Sequence, residues 1–473
     1  MRQRVWMMLA LLCASAAATA NPERHSAAAE QTALAVTIYN GDLALVKDAR
    51  KTRLDPGANR LAWRDVSARI QPETALLRAL DGRPLRLLEQ NFDFDLLTPR
   101  KLLEKSVGET VRVIRPHVVT GVETSEYPTL IAANEGFVLK YADRVETDLP
   151  KDGRLAFTAL PPGLRDRPTL SLMFEAVQGG DSTLELSYLT GGLTWKADYV
   201  AELRGDESAF DLNGWITLTN TSGAGYRDAR LQLVAGEVNR AMPVPRAAPR
   251  MMALAAAEAG APMQQEALFE YHLYTLERPT TLLDNQTKQV ALLSAASVPV
   301  SKEYRLQGAE YYYQGQYSEL GQRIKAGVFM EFANQGGALG VPLPKGIVRV
   351  YKKDSAGRAQ FIGEDRIEHT ARNETVRLKL GEAFDITADK RQTDYTRLAA
   401  GRNALHESGY QIEIRNAKSE PIRVRVVEPM PGDWQILAEN LPHRKTSAST
   451  ATWEVPVPAE GKAVLSWRVR VRQ

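Results

Sequence analysis

Asp93 and Asp95 alternate with phenylalanine in Asn91-Phe92-Asp93-Phe94-Asp95. Side chains on a strand alternate between faces, so the two carboxyls would share one face about 7 Å apart. That separation suits an acid and a base working on a glycosidic bond. The plainer reading is a half-buried strand with a solvated acidic face. No other local pattern offers chemistry. The six histidines, His25, His117, His272, His369, His406 and His443, are scattered and make no HxH or HExxH spacing. There is no GxSxG elbow, no GxxxxGK[ST] loop and no GxGxxG. The expectation is no catalytic centre, no cofactor and no metal.

Two surfaces could bind rather than react. Tyr311, Tyr312, Tyr313 and Tyr317 form the densest aromatic run. Read as a strand, this run turns at least one ring outward, where it could stack on a sugar or meet a protein; the bland alternative is a core strand with its edge hydroxyls in water. Arg423 and Arg425, and Arg468, Arg470 and Arg472, stand at the polar positions of two alternating segments. If those segments pair, the five form a basic plate for an anionic glycan or lipid headgroup. Otherwise they are solvated faces that discourage edge association.

The elements that must carry these residues have a period of two. Leu465, Trp467, Val469 and Val471 alternate with Ser466, Arg468, Arg470 and Arg472, and Ile422, Val424 and Val426 with Arg423 and Arg425. Asp55-Pro56-Gly57, Asp81-Gly82, Asp152-Gly153 and Ala356-Gly357 mark turns. Strands at this spacing, with a single helix candidate at Thr98–Lys105, predict two or more antiparallel Ig-like β-sandwich domains. The expected organisation is a leader over 1–20, a linker over 21–30 and an N-terminal β domain over 31–178. That domain carries a small β-unit inserted at about 96–162. A second β-sandwich region over 179–473 is interrupted by an Ala-, Pro- and Met-rich mobile segment, 241–267. Trp215–Asn220 and Gln411–Asn416 echo one another: each is a strand ending in asparagine, followed by a polar turn and a returning strand.

Residues 1–20 have a basic start at Arg2 and Arg4, an apolar run and Ala18-Thr19-Ala20, which predicts a secretory signal cleaved after Ala20. Leu12 precedes Cys13 where a lipoprotein signal wants a small residue, which argues against a lipid anchor. Cys13 is the single cysteine, so a processed chain would have no thiol and no disulfide, as suits a bacterial periplasm. The 60 basic residues less those two arginines leave 58 against 57 acidic ones. This balance excludes a nucleic-acid footprint. No later stretch is apolar enough for a membrane helix.

Several segments together resemble a known family. They are Leu193–Tyr199, Asn220–Gly236, Tyr271–Leu276, Leu343–Tyr351 and Phe361–Asp365, preceded by Val36–Asn40 and Leu43–Val46. In this order they are similar to the domain-of-unknown-function 4139 family, which includes mucoidy-inhibitor-like exported proteins, over roughly 180–473. The resemblance implies a bacterial envelope β-protein and supplies no catalytic residues. The expected role is a non-catalytic structural or interaction module for an envelope protein or anionic glycan. A carbohydrate-active hydrolase and an assembly factor acting by strand addition are the alternatives.

Overall fold

In the computed structural model the alternating segments are strands, and the period of two sorts their side chains. The strand Gly461–Arg472 buries Leu465, Trp467, Val469 and Val471 and turns its arginines outward. The described residues are 22–117, 120–134, 136–149, 153–161, 163–236, 239, 264–268, 271–399 and 404–472. They form a mainly β protein with one α-helix.

The C-terminal sheet has nine strands. Thr450–Val457 and Gly461–Arg472 lie near its opposite ends, yet the rings of Trp453 and Trp467 are 4.9 Å apart. The sheet therefore curls on itself as a sandwich, closing on Tyr410, Ile412, Val424, Val426 and the two tryptophans. The remaining large sheets, of four, eight and five strands, share a second core that includes Val36, Trp63, Leu170, Leu186, Tyr199 and Leu231. Antiparallel pairs dominate, and parallel pairs join distant parts of the chain. Gln31–Tyr39 lies parallel to Tyr226–Ala235, and Leu193–Leu203 parallel to Gly346–Lys353. One sheet thus bridges the expected boundary at 178/179.

The small inserted unit leaves and re-enters at adjacent points, because Leu85–Asp93 pairs with Thr169–Ala176 and sets Asp93 opposite Thr169. Its helix is Pro99–Lys105. Thr98 caps it, with Oγ1 accepting the Lys101 N–H at 3.1 Å, and Pro99 fills the position that needs no N–H. Two three-stranded sheets close over Val111, Val113, Leu130 and Leu139, a core separate from the others.

The internal echo is geometric as well as sequential. Asn220 and Asn416 are buried at strand ends. Each donates Nδ2–H to the carbonyl four residues on, Ala224 or Glu420, at 2.8 Å. Each also accepts the N–H two residues on at 3.0 Å. Asn334 plays a similar part, donating to the Val341 and Ala371 carbonyls and accepting the Gly340 N–H.

Three local expectations are corrected. The linker 21–30 is docked where it is described: Arg24–Ser26 pairs in parallel with Gly57–Arg64, and Ala28–Glu30 makes a 3-10 turn. The tyrosine run is a 3-10 turn, Glu310–Tyr313, and not a strand. Both Tyr312 and Tyr313 are buried; a strand with one face on a core could not bury two consecutive rings, whereas a three-residue turn can. Of the segment 241–267, residues 264–267 belong to the strand Gln264–Leu268, paired with Tyr271–Thr275. Residues 241–263 lie outside the described residues, as do residues 1–21. Among the described residues no helix is long and apolar enough to cross a membrane.

Candidate interaction surface

The strand carrying Phe92 ends at Asp93, so Asp95 lies beyond it and the two carboxyls do not form a pair on one strand face. Each has its own cationic surroundings. Asp93 Oδ2 accepts from Arg165 Nε at 3.0 Å and Nη2 at 2.9 Å, and from the Ser171 hydroxyl at 2.8 Å. The same guanidinium holds Glu23 at 2.8 Å, which keeps the Glu23 carboxyl below the ordinary range. Asp95 meets Lys105 at 2.8 Å and Lys101 at 3.4 Å, and these ammoniums, Lys105 foremost, hold its carboxyl low. A glycosidase acid must instead keep its proton until the bond breaks.

The arginines are not one plate. The strand Ile422–Pro429 and the strand Gly461–Arg472 do not pair, and four strands separate them in the sheet. Arg425 bonds Glu454 at 2.7 Å and also pairs with Glu303. Arg470 meets Glu407 at 2.6 Å and Arg468 meets Asp394 at 2.7 Å; Arg470, then Arg468, keep the Glu407 carboxyl low. These are cross-strand pairs that neutralise the polar faces. Arg423 and Arg472 are exposed, with no ion pair among the described residues.

Of the tyrosines, only Tyr311 is substantially exposed, at 51%. It packs edge-on against Tyr312 and Tyr317, with centroids 4.6 and 5.7 Å away. Tyr313 is fully interior and Tyr317 lies half-buried against the C-terminal core. A single exposed ring braced by its neighbours could contact a partner but makes no stacking platform.

A broad cleft, about 990 Å³, runs between the first strands and the turn after Asn220. Asp48 and Arg50 lie at its floor, buried. Asp48 Oδ2 accepts from Arg50 Nη2 at 2.6 Å and from Trp63 Nε1 at 2.9 Å, and its Oδ1 from Gln31 at 2.7 Å. On the rim Asp65 pairs with Arg167 at 2.6 Å and Asp166 with Arg64. Asp284 caps the Gly223 N–H at 2.9 Å. These carboxylates already serve the fold. Among the described residues no three His, Cys, Asp or Glu side chains cluster as a metal site.

A different kind of surface lies on the inserted unit. Its helix and last strand open a groove of about 490 Å³ lined by Leu97, Leu102, Leu103, Phe137, Phe157 and Leu160. Leu103, Phe137 and Phe157 rest on the insert's own core, while Leu97 and Leu160 stand 39% and 66% exposed. The sequence contains these residues, but they come from the helix and from connecting segments far apart in the chain, so no periodicity marks them as neighbours. An apolar concavity of this size takes apolar side chains or chains of carbon and offers nothing to a sugar or a phosphate.

A family model described as "Domain of unknown function (DUF4139)" matches residues 184–473. No curated protein matches the chain.

Proposed function

Because the chain belongs to the DUF4139 family, for which no activity is described, we propose from its own surfaces that it is an exported, non-catalytic interaction module of the bacterial envelope. Its partner is a protein presenting apolar side chains, and the groove on the inserted unit is the contact. One observation carries this reading. The groove is a concave surface with a mostly apolar lining that leaves Leu97 and Leu160 exposed, whereas the carboxylates and most of the arginines singled out above are tied into ion pairs. The basic start, apolar run and Ala18-Thr19-Ala20 of residues 1–20 support export. The separated, paired arginines argue for a protein partner over an anionic glycan.

The test is brief crosslinking and capture of the tagged chain from its native envelope, with a Leu97→Asp/Leu160→Asp variant alongside. Both leucines are already exposed, so the variant keeps the fold. A stoichiometric protein captured by the parent and lost from the variant supports the proposal. An identical capture profile from both refutes the groove. Retention on an acidic polysaccharide that is abolished by replacing the five arginines with serine would move the partner to a glycan. Glycan hydrolysis lost in Asp93→Asn would return the chain to the enzymes.

A further inference from the structure

A nucleophile and an electrophile are sealed together in the C-terminal core. Lys390, on the strand Thr375–Ala399, and Glu428, on Ile422–Pro429, have side chains only 4% and 1% exposed. Lys390 Nζ lies 2.6 Å from Glu428 Oε2. The Tyr313 hydroxyl donates to the same oxygen at 2.8 Å. The ring centroids of Tyr312, Trp467 and Tyr410 lie 4.1, 5.5 and 5.8 Å from Nζ, so aromatic rings occupy the space that water would take. Gly308 closes the other side: a Cβ there would fall 2.2 Å from Glu428 Oε2.

These groups do not sit on neighbouring strands. Gly321–Ala333 and Ser301–Gln307 lie between theirs in the sheet, and the two side chains meet because the sheet curls. An ion pair in so dry a place loses most of its hydration. Desolvation in such a place disfavours the charged ammonium and favours the neutral amine, the form of Lys390 that can attack. Burial pushes the Lys390 ammonium below its ordinary value, against the pull of Glu428. Burial also keeps the Tyr313 phenol protonated, so it stays a donor.

We propose that Lys390 and Glu428 condense spontaneously into an intramolecular amide that staples opposite walls of the C-terminal sandwich. Nζ attacks the Glu428 carboxyl carbon, which is at most one C–O bond beyond the oxygen it already touches. The Nζ–Cδ bond forms and the Cδ–Oε2 bond breaks. Oε2 leaves as water with two protons that began on the ammonium, so an ammonium and a carboxylate become one amide and one water. No oxidant, metal or activating nucleotide is required. Tyr313 donates a hydrogen bond to the departing oxygen. Fixed proximity replaces the activation that free carboxylates need, since well-oriented neighbours react as if at effective concentrations of about 10⁵–10⁸ M. The aromatic cover keeps water from reversing the step. A chain with one cysteine cannot make an internal disulfide, and the amide gives it a covalent tie of another kind.

Intact-mass measurement of the folded chain, incubated and then denatured, tests this directly. The expected mass is lower than that of the uncondensed chain by one water. A digest should yield the peptides carrying Lys390 and Glu428 as one joined species. Lys390→Arg keeps the positive charge but removes the amine, and should abolish both signatures. Tyr313→Phe should form the joined peptide more slowly. An unreduced mass and two separate peptides from the folded parent chain would overturn the proposal, whatever the variants do.

Discussion

Replacing Asp48 by asparagine separates a structural carboxylate from a working one. Asp48 and Arg50 are 4% and 1% exposed. Asp48 accepts from Arg50 Nε at 2.9 Å and Nη2 at 2.6 Å, and from Trp63 and Gln31 besides. Two more Arg50 N–H groups go to the Ser26 carbonyl at 2.7 Å and the Arg64 carbonyl at 2.9 Å. Its guanidinium also stacks 4.6 Å from the Trp63 ring centre. In Asp48→Asn the asparagine oxygen can still accept from Trp63 or Gln31, but the guanidinium keeps its burial and loses its counter-charge. Breaking one side of a buried pair costs about 3–5 kcal/mol. Arg50→Met removes the cation and leaves the carboxylate with its two neutral donors. The double variant has neither charge and should lose less than the two single losses added, by roughly 1–3 kcal/mol. Urea unfolding read by tryptophan fluorescence measures all three, because Trp63 touches both groups. A loss below about 1 kcal/mol for Asp48→Asn, or strict additivity in the double variant, would refute the claim that the floor of the cleft is structural. Folded Asp48→Asn should capture the same envelope partner as the parent, since the pair lies away from the apolar groove.

Further outcomes follow from the same reasoning. Asn416→Ala strands the Glu420 and Pro458 carbonyls and the Lys418 N–H, three groups now bonded at 2.8, 3.0 and 3.0 Å. It should cost about 2–4 kcal/mol in urea unfolding. Asn416→Asp should cost at least as much, because a carboxylate would face two carbonyl oxygens, and a milder aspartate would contradict the assigned donor direction. Burial, then Arg397, holds the His406 imidazole below its ordinary value. As pH falls below about 6.5 the unfolded chain takes up this proton first. His406 therefore favours the fold fully above that pH, and stability should fall below it by at most about 1.4 kcal/mol per pH unit. Thermal unfolding across pH 5–8 should show that slope reduced in His406→Gln; an unchanged slope would assign it to other groups. Leu97→Asp/Leu160→Asp should change the unfolding free energy, read by urea titration, by less than about 0.5 kcal/mol per site, as expected for exposed positions, while abolishing partner capture.

The tertiary structure assigned partners to residues that the sequence could only nominate. Asp93 and Asp95 shared a pattern but met different cations, since the strand stops at Asp93 and Arg165 arrives from the far side of the insert. The five arginines alternated correctly on their strands, yet the strand order kept the two groups apart. Strand order depends on long-range pairing, which a period of two does not encode. The apolar groove and the Lys390–Glu428 contact were illegible for the same reason, because each joins elements distant in sequence.

What the sequence determined by itself was local. Alternation specified strands and their inward faces, because the side-chain period is a property of the extended backbone. Thr98 before Pro99 specified the one helix, and the two strand-ending asparagines announced turns that proved geometrically alike. The ordered segments identified the family, and in the structure they fall on the strands Leu193–Leu203, Tyr226–Ala235, Tyr271–Thr275, Gly346–Lys353 and Ala359–Ile367. Only the tertiary structure decided which strands lie side by side and where the C-terminal sheet curls shut. It also decided which side chains are left facing a groove. Those outcomes bury apolar surface and pair polar groups over the whole chain at once, and no local window contains that sum.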